Sequence, residues 1–275
     1  MKSLKNKAVL TGSMLVVVSQ YAMAAPDWTK VPKRDVHVFH AGVTPIEWVS
    51  KKSNHSGTAG MKKGESCAGC HEEKGTLNLN FKRLADKELE PVGAPSTMIY
   101  PVSFQSAHDD ASLYIRLTFK APSGSANKAD KDNEVKATVM FPDASVPNAA
   151  QEGCWATCHQ DARTMPGADD KKTKYAAAGS YELMQWRSAK GAKAADGSVS
   201  SARKMEGGAL VAKAEGSKTG DVYTVTFSRK YPGAGKTIPF GLAIHADHAS
   251  GRFHHVSLGY ALEMATNGEV KFIKQ

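Results

Sequence analysis

The chain has 275 residues, and its 36 Lys and Arg against 27 Asp and Glu give a formal net charge of +9 at pH 7. This length suits one substantial domain with a smaller segment beside it. The lysines are scattered and no nucleic-acid motif is present, so the basic charge does not indicate nucleic-acid binding. Beyond the N-terminus no apolar run approaches the roughly 20 residues of a membrane span, so we expect no transmembrane helix there.

The N-terminus has the pattern of an export signal. A short basic region at residues 2–7 precedes an apolar stretch that ends near Ala22, and a small-x-small cleavage pattern ends at Ala24. We predict that residues 1–24 are a signal peptide and that the mature chain is soluble and periplasmic. An uncleaved membrane anchor is the alternative. Removal of the leader's three lysines lowers the formal net charge from +9 to +6, which still favours an acidic docking partner.

Residues 25–90 have helix-and-loop character. The pattern of Ile46–Val49 predicts the start of a short amphipathic helix. The sequence Asn54-His55-Ser56-Gly57 predicts a helix end, because Asn and Gly favour C-terminal caps. This segment has too few apolar residues for a core of its own, so we predict that it folds around a bound group.

All four cysteines lie in two short motifs that each end on a histidine. The first motif is Cys67-Ala-Gly-Cys70-His71, and the second motif is Cys154-Trp-Ala-Thr-Cys158-His159. A Cys-x-x-Cys-His run is typical of covalent haem attachment, in which two thiols add to the porphyrin vinyl groups and the histidine binds the iron. The second motif has one extra residue between its cysteines, which is a rarer spacing. We therefore predict two covalently bound haem c groups, attached by Cys67, Cys70, Cys154 and Cys158 and ligated by His71 and His159.

Zinc and disulfides are the alternative uses of these cysteines. Structural zinc sites take four ligands in a tetrahedron, which two Cys-Cys-His clusters could in principle supply. Disulfides are common in exported proteins. Neither use explains why a histidine directly follows the second cysteine of both motifs, so haem is favoured.

After Pro91 the chain changes to short runs rich in β-branched and aromatic residues, separated by turn residues. This change divides the mature chain into an N-terminal c-type haem segment, residues 25–90, and an antiparallel β-sandwich domain, residues 91–275. The stretch Pro147–Gly207 interrupts the strands with the second motif, a predicted helix over Tyr181–Ser188 and a polar loop over Gly191–Ser201. The predicted strands are Thr97–Phe104, Ser112–Lys120, Val135–Phe141, Ala209–Ala214, Val222–Arg229, Thr237–Ala246 and Phe253–Met264.

A second axial ligand suits a haem iron to electron transfer, whereas an open face permits binding of small molecules. For the first haem the candidates are His37, His40 and His55. His55 is nearest to the first motif and lies at a predicted turn, so we predict His55 as the ligand. His37 and His40 lie in a segment with an extended pattern, and we interpret both mainly as loop or surface histidines. His40 is an alternative ligand.

Two late strands guide the choice for the second haem. In residues 238–245 one face carries Gly241, Ala243 and His245, and in residues 255–262 a second small-residue face carries His255 and Gly259. Glycine inside a strand often marks the close approach of a ligand or another backbone, and a flat porphyrin would explain the missing bulk. We predict His245 as the distal ligand, with His255 as the second choice. The alternative is that these faces pack on a loop and the histidines are solvated.

Met165, six residues after His159, is the third choice for the second haem. A methionine ligand would raise the reduction potential relative to two histidines. A residue so near in sequence reaches the opposite face of the same haem with difficulty, so packing against a haem edge is the other interpretation.

Several stretches resemble the ethylbenzene dehydrogenase-type haem-binding domain. The N-terminal part, from Glu47 through Cys67 to His71, is similar to the leading haem segment that is joined to this domain in exported dihaem cytochromes. The resemblance covers nearly all of the mature chain and implies a β-sandwich that holds haem between its sheets and transfers electrons. The stretches that carry the domain resemblance are Cys154 to Pro166, Met184–Ser188, Pro239–His245 and Arg252–Ser257.

In the name-giving enzyme of this DMSO reductase-like group, the related subunit carries a non-covalent b-type haem and passes electrons from a molybdenum enzyme. Its iron ligands are a methionine and a lysine. The present chain departs from that pattern by its attachment cysteines, so those ligands are not carried over.

The leading hypothesis is a periplasmic dihaem c-type cytochrome that relays single electrons between a quinol-side donor and a terminal reductase or molybdoenzyme. No nucleophile elbow, P-loop or dinucleotide fingerprint accompanies the haem motifs, so no catalytic residues are assigned. One alternative is a dihaem enzyme, a peroxidase or small-molecule reductase, with one open iron. The other is a haem- or ligand-binding sensor module, because a fold alone does not determine function.

Overall fold

The computed structural model describes residues 25–41, 55–73, 75–80, 95–125, 127–146, 148–157, 179–192, 194–200, 203–205, 213–251 and 253–273. The helices in these ranges are short: α1 (Thr58–Lys62), α2 (Cys67–His71) and α3 (Ala149–Thr157). None of the helices described is long and apolar enough to span a bilayer. The strands are β1 (Arg34–His40), β2 (Glu72–Glu73), β3 (Thr76–Leu77), β4 (Ile99–His108), β5 (Ser112–Lys120), β6 (Lys136–Pro142), β7 (Tyr181–Arg187), β8 (Ala195–Val199), β9 (Arg203–Lys204), β10 (Lys213–Thr219), β11 (Val222–Lys230), β12 (Thr237–His245), β13 (His255–Ser257), β14 (Tyr260–Met264) and β15 (Val270–Ile273).

Thirteen strands form one antiparallel sheet. The strand order is β10-β11-β5-β4-β1-β13-β12-β6-β7-β8-β9, and β14 pairs with β12 and β15 beside this path. β2 and β3 form a separate two-stranded hairpin directly after α2. The mainly β, antiparallel fold predicted from the sequence is therefore confirmed.

The long sheet folds over on itself, so that its strands face each other across a common core. The ring of Phe104 on β4 stacks on the ring of Phe240 on β12, with centroids 4.8 Å apart. The ring centroids of Tyr223 on β11 and Trp186 on β7 are 6.1 Å apart. On β5 every second residue is buried, which is the period of a strand with one face in a core. Burial of each large apolar side chain contributes on the order of 1.5–3 kcal/mol.

Strand β1 lies in the middle of the sheet although it precedes the first motif. It pairs with β4 on one side and β13 on the other, because Val36, Val38 and Phe39 are apolar and fully buried. His37 and His40 are buried with them, so their interpretation as loop or surface histidines is wrong. The sheet thus includes residues from the segment 25–90, which ties that segment to the sandwich.

Strand β7 replaces the predicted helix over Tyr181–Ser188, so that prediction is wrong. β7 is hydrogen-bonded to β6 and β8 on its two sides, and Leu183, Met184 and Gln185 are buried in succession. Burial of both faces removes the alternation by which a strand is recognised, and a short apolar run resembles a buried helix. β8 likewise forms inside the predicted loop Gly191–Ser201. The predicted helix at Ile46–Val49 lies outside the described residues.

A bulge and a glycine contact fix α3 against the sheet. Three residues, 257–259, lie opposite two residues of β12, so one extra residue is accommodated there. A Cβ on Gly259 would overlap the backbone of Ala150 and Gly153 in α3. Gly153 itself has φ +63°, which glycine adopts without strain. The space over Gly259 is therefore filled by the backbone of α3, and not by the flat group that the sequence predicted.

Candidate functional site

The first motif forms the whole of α2. Ser66 caps this helix, because its Oγ accepts a hydrogen bond from the N–H of Gly69 at 2.9 Å. Cys67 and Cys70 are three residues apart and therefore lie on one side of the helix. Both are free thiols, Cys67 buried and Cys70 exposed. The two sulfur atoms are therefore placed to bind one ligand, Cys67 from the core and Cys70 from the surface.

The ring of His71 is oriented by a backbone carbonyl. Its Nδ1 lies 2.7 Å from the carbonyl oxygen of Asn78, which the hairpin of β2 and β3 brings back to the helix end. Because a carbonyl can only accept, Nδ1 carries the proton and Nε2 keeps its lone pair. This is the usual arrangement of a metal-binding histidine, whose second nitrogen donates to a carbonyl or carboxylate.

The ring of His55 faces the ring of His71. Their centroids are 6.0 Å apart and their planes are inclined by 25°. Two imidazoles on opposite sides of one metal ion, each with a nitrogen about 2 Å from it, have centroids about 6 Å apart. The centroid distance therefore matches that expected for two histidines that would bind one haem iron beside Cys67 and Cys70.

The backbone around His55 holds this ring in place. The carbonyl of His55 accepts from the N–H and the hydroxyl of Thr58, at 3.2 and 2.8 Å. A Cβ on Gly57 would lie 2.8 Å from Cε1 of His55, so glycine leaves room for the ring. His55 thus precedes a helix start at α1, whereas the sequence predicted a helix end at this turn.

A buried carboxyl, Glu152 of α3, lies beside the first motif. Only 1% of the residue is exposed, and burial raises its pKa to about 8 although a hydrogen bond from Asn148 lowers it. Burial also raises the pKa of the Cys67 thiol to about 12, and the charge of Glu152 adds to this effect. A metal thiolate must lose its proton, whereas a thioether carries no charge. This environment therefore suits a neutral sulfur.

The second motif begins in α3. The backbone of Cys154 lies in this helix, while Cys158, His159 and Met165 lie outside the described residues. α3 contacts α2, and Nε2 of Gln151 donates to the carbonyl of Glu65 at 2.9 Å across 86 residues of sequence. The starts of the two motifs are therefore neighbours in space.

The strand register separates the remaining candidate histidines between the two faces of the sheet. Phe39, Val256 and Ala243 lie opposite one another on β1, β13 and β12, so they share a face. The ring of Trp155 in α3 packs on Phe39 at 5.5 Å, so α3 covers this face. His245 lies two residues beyond Ala243 and therefore belongs to the same face as α3.

His255 and His40 lie on the opposite face. They are directly paired in the register of β1 and β13, and their ring centroids are 6.1 Å apart. Nε2 of His255 bonds the carbonyl of Thr97 at 2.7 Å, and the ring of Tyr100 lies 4.9 Å from it. His245 and His255 therefore point to opposite sides of the sheet, and Gly259, which packs on α3 after the bulge, does not share a face with His255.

His245 has one nitrogen bonded and one without a partner. Its Nε2 donates to the carbonyl of Gly251 at 2.9 Å, while its buried Nδ1 has no hydrogen-bond partner among the described residues. Burial, and then the charge of Lys136, lower the pKa of His245 to about 4. The ring is therefore neutral at pH 7, which is the form that binds a metal.

Sequence reasoning missed three groups of this site: the carbonyl of Asn78, the amide of Gln151 and the carboxyl of Glu152. The carbonyl belongs to the backbone and has no side-chain signal. Gln151 and Glu152 are polar residues next to a cysteine motif, but the bonds of Gln151 to the Met61 and Glu65 carbonyls and the burial of Glu152 are long-range features that no local pattern predicts.

A β-sandwich that presents a capped Cys-x-x-Cys-His helix opposite a second histidine defines a haem protein of the c type. The chain belongs to the ethylbenzene dehydrogenase family, whose model matches residues 25–234.

Two curated relatives cover almost the whole chain. Cytochrome c-551 of Rhodocyclus tenuis is 46% identical over 255 residues, which cover 91% of this chain and 100% of the relative. Cytochrome c-552 of Stutzerimonas stutzeri is 43% identical over 293 aligned positions, which cover 100% of this chain and 99% of the relative. The chain is therefore a cytochrome c homologue, which implies covalent haem c and electron transfer.

Among solved structures, the chain is similar to a family 9 carbohydrate-binding module from Caldicellulosiruptor kristjanssonii in complex with glucose. The match covers 57% of this chain and 65% of that chain, with 13% identity and a TM-score of 0.28. A TM-score this low supports no conclusion about the fold or the function of this chain.

Glu152→Gln should flatten the dependence of stability on pH. Because the folded pKa of Glu152 is about 8 and its ordinary value is 4.5, the folded protein keeps a proton that the unfolded chain loses. The resulting stabilisation is complete below pH 4.5 and is lost as the pH rises to 8. Urea denaturation at pH 5 and pH 8 should therefore show a smaller fall in the free energy of unfolding for the variant than for the wild type. An equal fall in the variant and the wild type would contradict the raised pKa of the buried Glu152. The control is Glu263→Gln, because Glu263 is exposed.

Proposed function

We propose that the mature chain is a periplasmic dihaem c-type cytochrome that relays single electrons between respiratory partners. The observation that carries the proposal is the facing pair His55 and His71, 6.0 Å apart beside two free thiols. A bound haem supplies a one-electron iron centre whose potential depends on its axial ligands and its burial. The two cytochrome relatives support the same function.

At the first haem each residue has a separate task. Cys67 and Cys70 attach the porphyrin, and His71 binds the iron through the nitrogen that Asn78 leaves available. His55 closes the opposite axial position. With His71 and His55 both as ligands, a bound haem would supply one-electron transfer and would offer no open position to a small molecule, which distinguishes this function from that of an enzyme with an open iron.

For the second haem we propose attachment by Cys154 and Cys158 and ligation by His159 and His245. Three observations on His245 support it as the distal ligand: it lies on the face covered by α3, its ring is neutral, and its Nδ1 is buried without a partner among the described residues. His255 and His40 lie on the other face, so they are weaker candidates. Met165 remains the alternative from the same chain segment as His159.

The proposed organisation follows from these assignments. Residues 1–24 direct export, residues 25–90 carry the first haem and contribute β1 to the sheet, and residues 91–275 form the sandwich with the second haem. The proposed partners are a quinol-side donor and a terminal reductase or molybdoenzyme. The mildly basic mature chain favours acidic surfaces on these partners.

His55→Ala should open one iron of the holoprotein. Haem content stays at the wild-type value because both thioether bonds of the first haem remain. The ferric spectrum should gain a high-spin component, and the variant should bind azide, whereas the wild type should not. His108→Ala is the control, since its ring stacks on Tyr231 at 4.0 Å in the sandwich. A wild type that is already high-spin and binds azide would favour the enzyme with an open iron.

His245→Ala should produce the same change at the other iron, so that the double variant with His55→Ala shows two high-spin centres by electron paramagnetic resonance. Circular dichroism checks that the sandwich remains folded. If His255→Ala produces the high-spin signal and His245→Ala does not, the second haem lies on the face opposite α3 and the assignment of His245 is wrong.

A further inference from the structure

The amide of Gln151 bridges two parts of the chain that belong to different haem sites. Its Nε2 lies 2.9 Å from the carbonyl oxygen of Glu65 and 3.3 Å from that of Met61. These carbonyls lie between His55 and Cys67, the two ends of the first site. Gln151 itself lies three residues before Cys154, where the second motif begins.

The segment that receives this amide is short and has few other anchors of its own. α1 has no buried residue, and it ends in a turn in which the N–H of Gly64 donates to Met61 and the N–H of Glu65 donates to Gly60. An α-helix of one turn is marginal without tertiary contacts. The position of this turn therefore depends on what it bonds outside itself.

The other end of the bridge is rigid. α3 is held on the sheet by the close backbone approach of Gly153 and Gly259 and by the packing of Trp155 on Phe39. Glu152 lies buried against the first motif in the same helix. Gln151 thus connects a short turn to the helix α3, whose position is determined by its contacts with the sheet.

We propose that Gln151 is a positioning residue that holds the two haem-attachment segments in one relative geometry and so sets the rate of electron transfer between the haems. This inference rests on the proposed function, because it requires two haems. Apolar packing between helices in general resists separation but tolerates sliding, whereas two hydrogen bonds from one amide specify a register and an orientation. Electron exchange between two centres falls steeply with their separation, so a small slip of the turn is measurable.

The chain offers a matched control for this amide. Gln105 also donates from Nε2 to two distant backbone carbonyls, those of Trp28 at 2.9 Å and Val31 at 2.7 Å. It ties the N-terminal residues to β4 and does not contact α1, α2 or α3 through these bonds. Gln105→Leu therefore removes the same number and kind of hydrogen bonds as Gln151→Leu.

The test compares wild-type holoprotein with Gln151→Leu and Gln105→Leu. One haem is reduced by a short light pulse, and the redistribution of the electron between the haems is followed optically. For Gln151→Leu the rate constant should fall severalfold relative to the wild type, because electron transfer slows steeply as the distance between the two haems grows. Haem content, low-spin bands and denaturation midpoint should match those of Gln105→Leu. Gln151→Glu, which keeps the shape but cannot donate, should be slowed in the same way.

The outcomes separate the two claims. Two haems with equal redistribution rates in all variants overturn the role of Gln151 and leave the proposed function standing. Equal slowing by Gln105→Leu also overturns it, because the effect is then general loss of rigidity. A wild type that carries one haem overturns the proposed function, and the positioning role with it.

Discussion

The hydrogen bond from Nδ1 of His71 to the carbonyl of Asn78 is the interaction on which the first site depends. It determines which ring nitrogen carries the proton, and it orients the ring, whose centroid lies 6.0 Å from that of His55. The carbonyl comes from the hairpin of β2 and β3, which follows α2 directly. The cysteine motif and the group that orients its histidine are therefore one local unit, built within about a dozen residues of chain.

Long-range packing places this local unit on the sandwich. β1, which precedes it, is a central strand of the sheet, and α3, which comes about 80 residues later, covers the face of β1 that carries Phe39. His37 on that face lies 3.9 Å from the carboxylate of Glu72, and Tyr260 donates to the same carboxylate at 3.3 Å. The first site is thus tied to the sheet on several sides, although its own segment has little core.

Local patterns predicted the elements whose signal is local. The strand Ser112–Lys120 has the predicted bounds, because one face is buried and the other is not. The Cys67–His71 motif and the choice of His55 also depend on near neighbours in sequence. The ring centroids of His55 and His71 lie 6.0 Å apart, and the assignment of both residues as iron ligands stays a prediction.

Features that depend on pairing between distant residues were not predictable in this way. The helix predicted at Tyr181–Ser188 is a strand because β6 and β8 bury both of its faces. Periodicity placed His245 and His255 each on a small-residue face, but only the register of β12 and β13 shows that the two histidines lie on opposite sides of the sheet. The space over Gly259 is taken by α3, which the sequence could not bring to that strand.

The measurement that tests the central claim most directly is the intact mass of the purified mature holoprotein, recorded with its ferric electron paramagnetic resonance spectrum. The account predicts a chain that begins at Ala25, carries the mass of two haems through thioether bonds, and has two low-spin irons. A mass with one haem, or a high-spin iron in the wild type, would contradict it.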